Sequence, residues 1–376
     1  MTDILITGGA GFIGTHLTRA ALAVGHRVRI LDNLSAQVHG EGGSYEAPAG
    51  AEFVRGDINL RQDLERALDG ITTVVHLAAE TGTGQSMYEI DRYYRVNVQG
   101  TALLLDVLAN TSHSVENFIL ASSRSVYGEG AYICRTCNPA GVRRFPPGRT
   151  QQQLAEQQWT PSCPICGGVI EPAATREDDQ LAPASVYAAT KLAQEDLVRV
   201  ACRALGISHS VLRLQNVFGE GQSLRNPYTG ILSIFSTRIR LGLSLPVFED
   251  GLETRDFVHA EDVATAILRC VDQPQREGGT LNVGSGIPVS IMAVAQMLQQ
   301  IMNSDVAPEV TGQYRVGDIR HNFADVSQLE AVTGFRPAIS LETGMRRFAA
   351  WVADQPVPQD LLDHANAELK ARKLMA

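Results

Sequence analysis

The chain has 376 residues, enough to bury a large core and to form two domains, or one large domain with additions. Its composition, 44% hydrophobic and 19% charged, is that of a globular protein, and a net charge of −9 with a pI near 5.5 excludes a global basic surface for nucleic acid or anionic lipid. No apolar run is long enough to span a bilayer, and a strand-like segment begins almost at the first residue, leaving no room for a signal peptide; both point to a cytoplasmic protein with no membrane partner.

The first half alternates short apolar runs with amphipathic stretches. ILIT (4–7), VRILD (28–32), EFVRGD (52–57), TVVHLAA (73–79) and NFILASS (117–123) are predicted strands, and 12–24, 60–69 and 97–110 are predicted helices between them. That alternation implies βαβ units and an α/β fold with a doubly wound parallel sheet. Residues 131–172 break the pattern, being polar, Gln-rich and interrupted by prolines. A helix carrying Tyr187 and Lys191 follows, then a sixth strand at 209–217. The expected division is a dinucleotide-binding domain over 1–215, to which 256–272 returns, and a smaller mixed α/β domain over 216–355. Within the latter, helices are predicted at 230–241, 289–302 and 341–353. RDFVHAEDVATAILRC reads as a strand entering a helix, with Asp262 placed to cap it. The tail 356–376 is predicted helical and exposed, and Cys202 and Cys270 are predicted core residues.

The segment TGGAGFIGTHL places Gly8, Gly11 and Gly14 at three-residue spacing between the first strand and the first helix. Glycines there let the chain turn tightly and bring backbone N–H groups against a pyrophosphate at a helix N-terminus. Asp32 ends the second strand, where a carboxylate accepts both ribose hydroxyls and repels a 2′-phosphate. Asn33, Leu34 and Ser35 bring no arginine, so NAD is favoured over NADP. Asp57 closes the third strand, either beside the adenine or as a turn aspartate.

In SVYAATK, Tyr187 and Lys191 lie four apart and share one helix face, so an ammonium beside a phenol is expected to favour the phenolate. Ser123 and Tyr127, in SSRSVYG, fall just past the fifth strand, at the edge where α/β sheets bind ligands. With the glycine loop and RDFVHAEDVA, these motifs resemble the extended short-chain dehydrogenase/reductase family, and within it the nucleotide-sugar epimerases and dehydratases, over about residues 3–350 apart from the insert. The resemblance implies a Rossmann-like fold, with Ser123 as hydroxyl partner, Tyr187 as catalytic base, and Lys191 binding the nicotinamide ribose. It implies cofactor contacts from Phe12, Ile13, Asn33, Asp57, Ile58, Ala78 and Asn97 in addition to the glycines and Asp32. Dehydratases of the family carry Asp and Glu after the hydroxyl residue. Arg124 and Ser125 stand here, which disfavours dehydration and makes Arg124 a substrate-binding candidate. Arg255 and Arg315 match the diphosphate-binding arginines and Asn216 a substrate-binding asparagine. Asp318, Arg320 and His321 are expected to line the same region, and 81–85 and 225–230 to shape the sugar pocket. Family members commonly dimerise through helices that include the one bearing Tyr187, so a homodimer is expected.

Cys134 and Cys137 form one C-x-x-C turn and Cys163 and Cys166 another. Two such turns at ribbon-like spacing are a strong signature for a four-thiolate zinc site, structural because no coordination position is left open. The insert is therefore expected to be a zinc ribbon acting as a lid or an interface element. SSRSVYGEG, the ribbon, SVYAATKLAQEDL and NPYTGILSIF together resemble the bacterial dTDP-L-rhamnose 4-epimerases, implying a dTDP-sugar substrate and reversible oxidation at one sugar carbon. A UDP-hexose or UDP-hexuronate is the alternative substrate. A non-catalytic NAD sensor is a rival reading, supported only by Arg143, Arg144 and Arg149 of the insert, which are expected to be solvated loop charges.

Overall fold

The computed structural model describes residues 1–137, 140–226 and 230–376. A seven-stranded sheet is its frame, with β1 (Asp3–Thr7), β2 (Arg27–Asp32), β3 (Ala51–Arg55), β4 (Thr73–His76), β5 (Asn117–Ser123), β6 (Ser208–Leu214) and β7 (Gly279–Val283). The strands run in the order β7-β6-β5-β4-β1-β2-β3, and every neighbouring pair is parallel. Near-continuous apolar runs such as the fully buried Ile4, Leu5 and Ile6 are what a strand covered on both faces requires.

Five helices cover the sheet: α1 (Phe12–Ala23), α2 (Arg61–Leu68), α3 (Gly100–Asn110), α4 (Val186–Leu205) and α5 (Ala260–Asp272). One face packs on Leu17 and Ala21 of α1 with Val263 and Ile267 of α5. The other packs on Leu64 of α2, Leu104 and Leu108 of α3, and Val198 and Cys202 of α4. Each fully buried Leu, Ile or Val contributes about 1.5–3 kcal/mol. The longest helix, α4, begins where Ser185 accepts from Ala188 N at 3.2 Å and ends at Gly206, whose φ of 70° a side chain would resist.

The second half builds a smaller sheet. Asn216–Phe218 pairs in parallel with Thr254–His259, which also pairs with Pro288–Ser290 and His321–Asn322. Phe218, Phe235, Phe257, Leu298, Met345 and Phe348 form its separate core. The insert is a three-stranded antiparallel ribbon, with Ala131–Ile133 between Arg143–Arg144 and Glu171–Ala173.

Several sequence expectations need correction. The sixth strand stops at Leu214, because Gln215 N bonds Val283 O and the chain then crosses to the smaller sheet. Strand β7 was not foreseen, since its run Gly279–Val283 is short and follows a glycine-rich turn. Of 256–272, helix α5 packs on the central sheet, whereas the strand before it pairs outside that sheet. Asp262 does not cap α5. His259 accepts from Glu261 N at 3.2 Å, and the Asp262 carboxylate accepts instead from Ala338 N and Ile339 N. The tail is helical over Leu362–Ala371 but not exposed on its inner face, where Leu362, Leu369 and Met375 are buried.

Deep in the sheet, Arg213 of β6 meets Glu195 of α4 through two bonds of 3.0 and 2.8 Å, and neither side chain is more than 3% exposed. Arg213→Met strands the carboxylate in a dry site and should lower stability by about 3–5 kcal/mol. The drop should show as an earlier urea midpoint, and should be smaller when Glu195→Gln accompanies it.

Candidate active site

A cleft with a cavity of 490 Å³ opens at the C-terminal ends of the parallel strands. Gly8, Gly11, Phe12, Ile13 and Gly14 line it at the N-terminus of α1, followed by Asp32, Asn33, Asp57, Ile58, Ala78, Ser123, Tyr187 and Lys191. Gly8 has φ +70°, and a Cβ there would stand 2.7 Å from the Ala78 backbone; a Cβ on Gly14 would meet Gly9 at 2.5 Å. The loop is thus kept side-chain-free where it turns and where it packs on itself. Asp32 is fixed by Ala10 N at 3.1 Å and Leu34 N at 2.9 Å. Asp57 lines the cleft and holds its own turn, accepting from Asn59 N at 2.8 Å and Asn33 Nδ2 at 3.0 Å.

Asn97 does not reach the cleft. It is fully buried within a π-helical turn, Tyr94–Gln99, and its amide is used by Glu80 N, Glu80 O and Thr190 Oγ1. The residue braces the loop after β4.

Ser123 and Tyr187 come together although 64 residues separate them. Burial raises the Tyr187 phenol above its ordinary range, and the Ser123 hydroxyl and the Arg124 charge work against that rise. The expected coupling of Tyr187 to Lys191 is not what the structure shows. The Lys191 amine donates to Ala121 O at 3.0 Å, and burial brings it down to about 7 against the pull of Glu195. The cation acting on the phenol is Arg124. Tyr127 is not part of the site, being buried with its hydroxyl between Asn282 and Arg213.

A second cavity of 220 Å³ adjoins the first, and Arg124, Asn216, Thr83, Gly230 and Ile231 line both. Arg124 Nε donates to Asn216 Oδ1 at 2.7 Å, while its Nη groups make no hydrogen bond to the described residues. Burial and repulsion from Arg255 lower Arg124 to about 9, still a cation at neutral pH. Arg255, Arg315 and Asp318 line the second cavity. Arg255 is held by the carbonyls of Thr254, Ile319 and Arg320 at 2.8, 2.7 and 3.1 Å. Arg315 lies 4.7 Å over the Phe248 ring and donates to Asn366 of the tail at 3.1 Å. Arg320 and His321 do not line this cavity. Arg320 is 3% exposed and bound to Glu249 and Asp250, and His321 bonds Thr254 Oγ1. Of the expected sugar-pocket segments, Thr83, Gly84 and Gly230 line the second cavity and Asn226 the first, whereas 227–229 lie outside the described residues.

Glu253 also lines the second cavity, 7% exposed, with Oε2 lacking a hydrogen bond and Arg320 no nearer than 3.9 Å. Burial pushes its carboxyl up to about 7, with Arg255 opposing.

The four cysteines converge, all four Sγ atoms lying within 4.8 Å of one another. Backbone N–H groups of Cys166 and Ile165 bring the Cys163 thiol down to about 6, and the N–H of Cys137 lowers Cys134. Donors aimed at sulfur stabilise thiolates, so this cluster fits a tetrahedral, sulfur-bound metal. None of the four lines either cavity.

Two of the three insert arginines expected to be solvated are paired, while Arg144 is half-buried without a carboxylate partner among the described residues. Arg143 pairs with Asp179, and Arg149, 2% exposed, with Glu129 and Glu249. These partners escaped sequence reasoning, although a lone carboxylate in the apolar run around Glu129 is a signal that a buried cation must meet it.

A model of the NAD dependent epimerase/dehydratase family matches residues 4–148 and 160–284. A dTDP-L-rhamnose 4-epimerase from Burkholderia thailandensis is 39% identical over 94% of this chain and 95% of its own. Among solved structures, UDP-glucose 4-epimerase from Thermus thermophilus in complex with NAD superposes with TM-score 0.74 at 27% identity, covering 94% of this chain and 100% of that one. The UDP-glucuronic acid 4-epimerase of Bacillus cereus, in complex with UDP-glucuronic acid and NAD, gives 0.75 at 25% identity over 93% and 99%. With the family model matching well over half of the chain and 39% identity to a relative along nearly its whole length, the chain belongs to the NAD dependent epimerase/dehydratase family.

Proposed function

We propose that the protein is an NAD-dependent 4-epimerase of a nucleotide-activated sugar, with dTDP-L-rhamnose and dTDP-6-deoxy-L-talose as its substrate pair. The observation that carries the reading is the junction of the two cavities, where Ser123, Arg124 and Tyr187 of the cleft meet Arg255 and Arg315. The 39% identity to a dTDP-L-rhamnose 4-epimerase supports the choice of sugar. In this reading the glycine loop, Asp32, Asn33, Asp57, Ile58, Ala78 and Lys191 hold NAD, which supplies reversible hydride transfer at the sugar carbon. Tyr187 takes the proton of the 4-hydroxyl, with Ser123 sharing the hydrogen bond and Arg124 favouring the phenolate. Arg255 and Arg315 grip the diphosphate while the 4-keto sugar turns over to present its other face for return of the hydride at C4, and Tyr187 returns the proton to the 4-oxygen. Among the described residues no helix is long and apolar enough to cross a membrane. We further propose a cytoplasmic homodimer through α4, on which Val200 is 71% exposed, and zinc at Cys134, Cys137, Cys163 and Cys166 in a structural role.

A UDP-hexuronate is the second reading, favoured by the unpaired Nη groups of Arg124, which suit a sugar carboxylate. Against the NAD-sensor reading, Arg143 and Arg149 are internally paired and Arg144 is half-buried.

The test incubates purified protein with dTDP-L-rhamnose in deuterated buffer, without added cofactor, and follows the sugar by NMR. A 4-epimer free of solvent deuterium supports the assignment, turnover of a UDP-sugar alone shifts the substrate, and deuterium beside the 4-position overturns the mechanism. Tyr187→Phe should lower kcat by about 10²–10⁴-fold with nucleotide affinity retained; near-normal turnover would remove Tyr187 as the base. The Glu253 carboxyl is neutral below pH 7 and anionic above it, so KM for the nucleotide sugar should rise between pH 6 and 8. The rise should approach roughly tenfold, as for like charges about 10 Å apart at an effective dielectric near 20, and Glu253→Gln should flatten it. Metal analysis should find one zinc per chain, lost together with thermal stability in Cys166→Ser.

A further inference from the structure

The insert touches residues that line the second cavity, chiefly through the Arg149 side chain. Arg149 sits between the two cysteine pairs, in a stretch (149–159) that the family model leaves unmatched. Its guanidinium is spent entirely on partners outside the ribbon or at its inner edge. Nε donates to Glu129 at 3.2 Å, Nη1 to Glu249 at 2.7 Å and to Trp159 O at 3.1 Å, and Nη2 to Asp318 O at 3.0 Å.

Those partners lead directly to the anion-binding arginines. The second oxygen of Glu129 accepts from Arg320 N at 2.7 Å, and that of Glu249 from Arg320 Nη1 at 2.9 Å. The segment 318–320 is thereby fixed on its outer side, and its inner carbonyls, from Ile319 and Arg320, hold the Arg255 guanidinium. Trp159 packs on Tyr314 with ring centroids 6.2 Å apart, next to Arg315. Glu249 itself lines the second cavity. Without Arg149 that carboxylate, 4% exposed, would keep only Arg320, which Asp250 also engages, beside the place where an anion must bind.

We infer that Arg149 is a positioning residue for the diphosphate site: it fixes the 318–320 segment that aims Arg255, and it shares with Arg320 the neutralisation of Glu249. The inference rests on the reading of the second cavity as a nucleotide-sugar site. It makes the insert a brace behind the substrate site, neither a lid nor a separate module.

The test uses the full-length protein, with dTDP and UDP titrated calorimetrically and steady-state constants measured on whichever nucleotide sugar turns over. Arg149→Met should weaken nucleoside diphosphate affinity and raise KM by about 10–100-fold, as for truncation of one partner in a buried charge network, with kcat changing far less. Arg149→Lys, which keeps the charge but not the fork, should recover part of the loss, and Glu249→Gln added to Arg149→Met should recover more of it. NAD content after purification should equal that of the wild type. Wild-type affinity in Arg149→Met, or a fall in kcat at unchanged KM, overturns the inference. If Arg149→Met does not fold, Arg149→Lys decides: affinity equal to wild type at equal thermal stability overturns it as well. A wild-type protein that binds neither diphosphate would sink the nucleotide-sugar reading itself, and is thereby distinguished from failure of the Arg149 role alone.

Discussion

The site depends on one buried ion pair. Glu195 of α4 and Arg213 of β6 meet in the dry interior, and Ser122 donates to the same carboxylate. Both flanks of the reaction centre are tied to it. Ser122 precedes Ser123 in β5, and Glu195 lies one helical turn beyond Lys191 and two beyond Tyr187. The pair therefore sets how α4 is rotated and seated along its axis against β5, and Lys191 adds a second tie to Ala121 O. Apolar packing alone would let a helix slide or turn at small cost, whereas a bidentate carboxylate–guanidinium contact tolerates neither. Arg213 also bonds the Tyr127 hydroxyl, so the turn following Ser123 is fixed by the same charge.

Across the cleft the smaller sheet solves a different problem, that of keeping several arginines close together and ready for an anion. Arg255, Arg315 and Arg320 would repel one another if left bare in a low-dielectric interior. Arg320 is neutralised by Glu249 and Asp250, so it serves as a brace. Arg255 is held mainly by backbone carbonyls, which orient a guanidinium without consuming its charge, and the one carboxylate beside it, Asp318 at 3.4 Å, also acts on Arg315. Arg315 rests on Phe248 and Asn366, again without a full counter-charge. The two arginines facing the cavity thus keep positive potential, and the one facing away does not. Sequence alone ranks these arginines equally; the distinction is three-dimensional.

What the sequence made legible follows the same division. Features set by neighbours in the chain were readable: the glycine turn before α1, the Asp32 position, the strand–helix alternation, and the C-x-x-C pairs whose sulfurs converge. Features set by distant partners were not. Asp262 has a capping residue's identity, yet its carboxylate is claimed by the 338–339 backbone. Lys191 shares a helix face with Tyr187, yet its ammonium points to a β5 carbonyl. Asn97 lies at the family's expected place, but a π-helical turn aims its amide at Glu80. The tail reads as an exposed amphipathic helix because its covering surface, around Gly84 and Tyr314, is assembled from both halves of the chain.

The cysteine ribbon shows how such a division can be bridged. Its two ends leave the frame close together, for Gly130 with φ +77° is crowded against Thr175 and Asn322, and Thr175 bonds Phe323 O. A loop that starts and finishes at one point has little to hold its middle, and its own apolar cluster among the described residues is Tyr132, Cys134, Cys163 and Ile170. Cross-linking Cys134 and Cys137 to Cys163 and Cys166 through a metal would remove most of the conformational freedom of the segment between them. Arg149 and Trp159 lie within that segment. The order a metal would bring at the thiolates would thus be delivered where two buried carboxylates require a cation and where Tyr314 requires a packing partner. A metal bound far from any reacting atom can in this way help shape the substrate cavity, through chain entropy and one well-placed guanidinium.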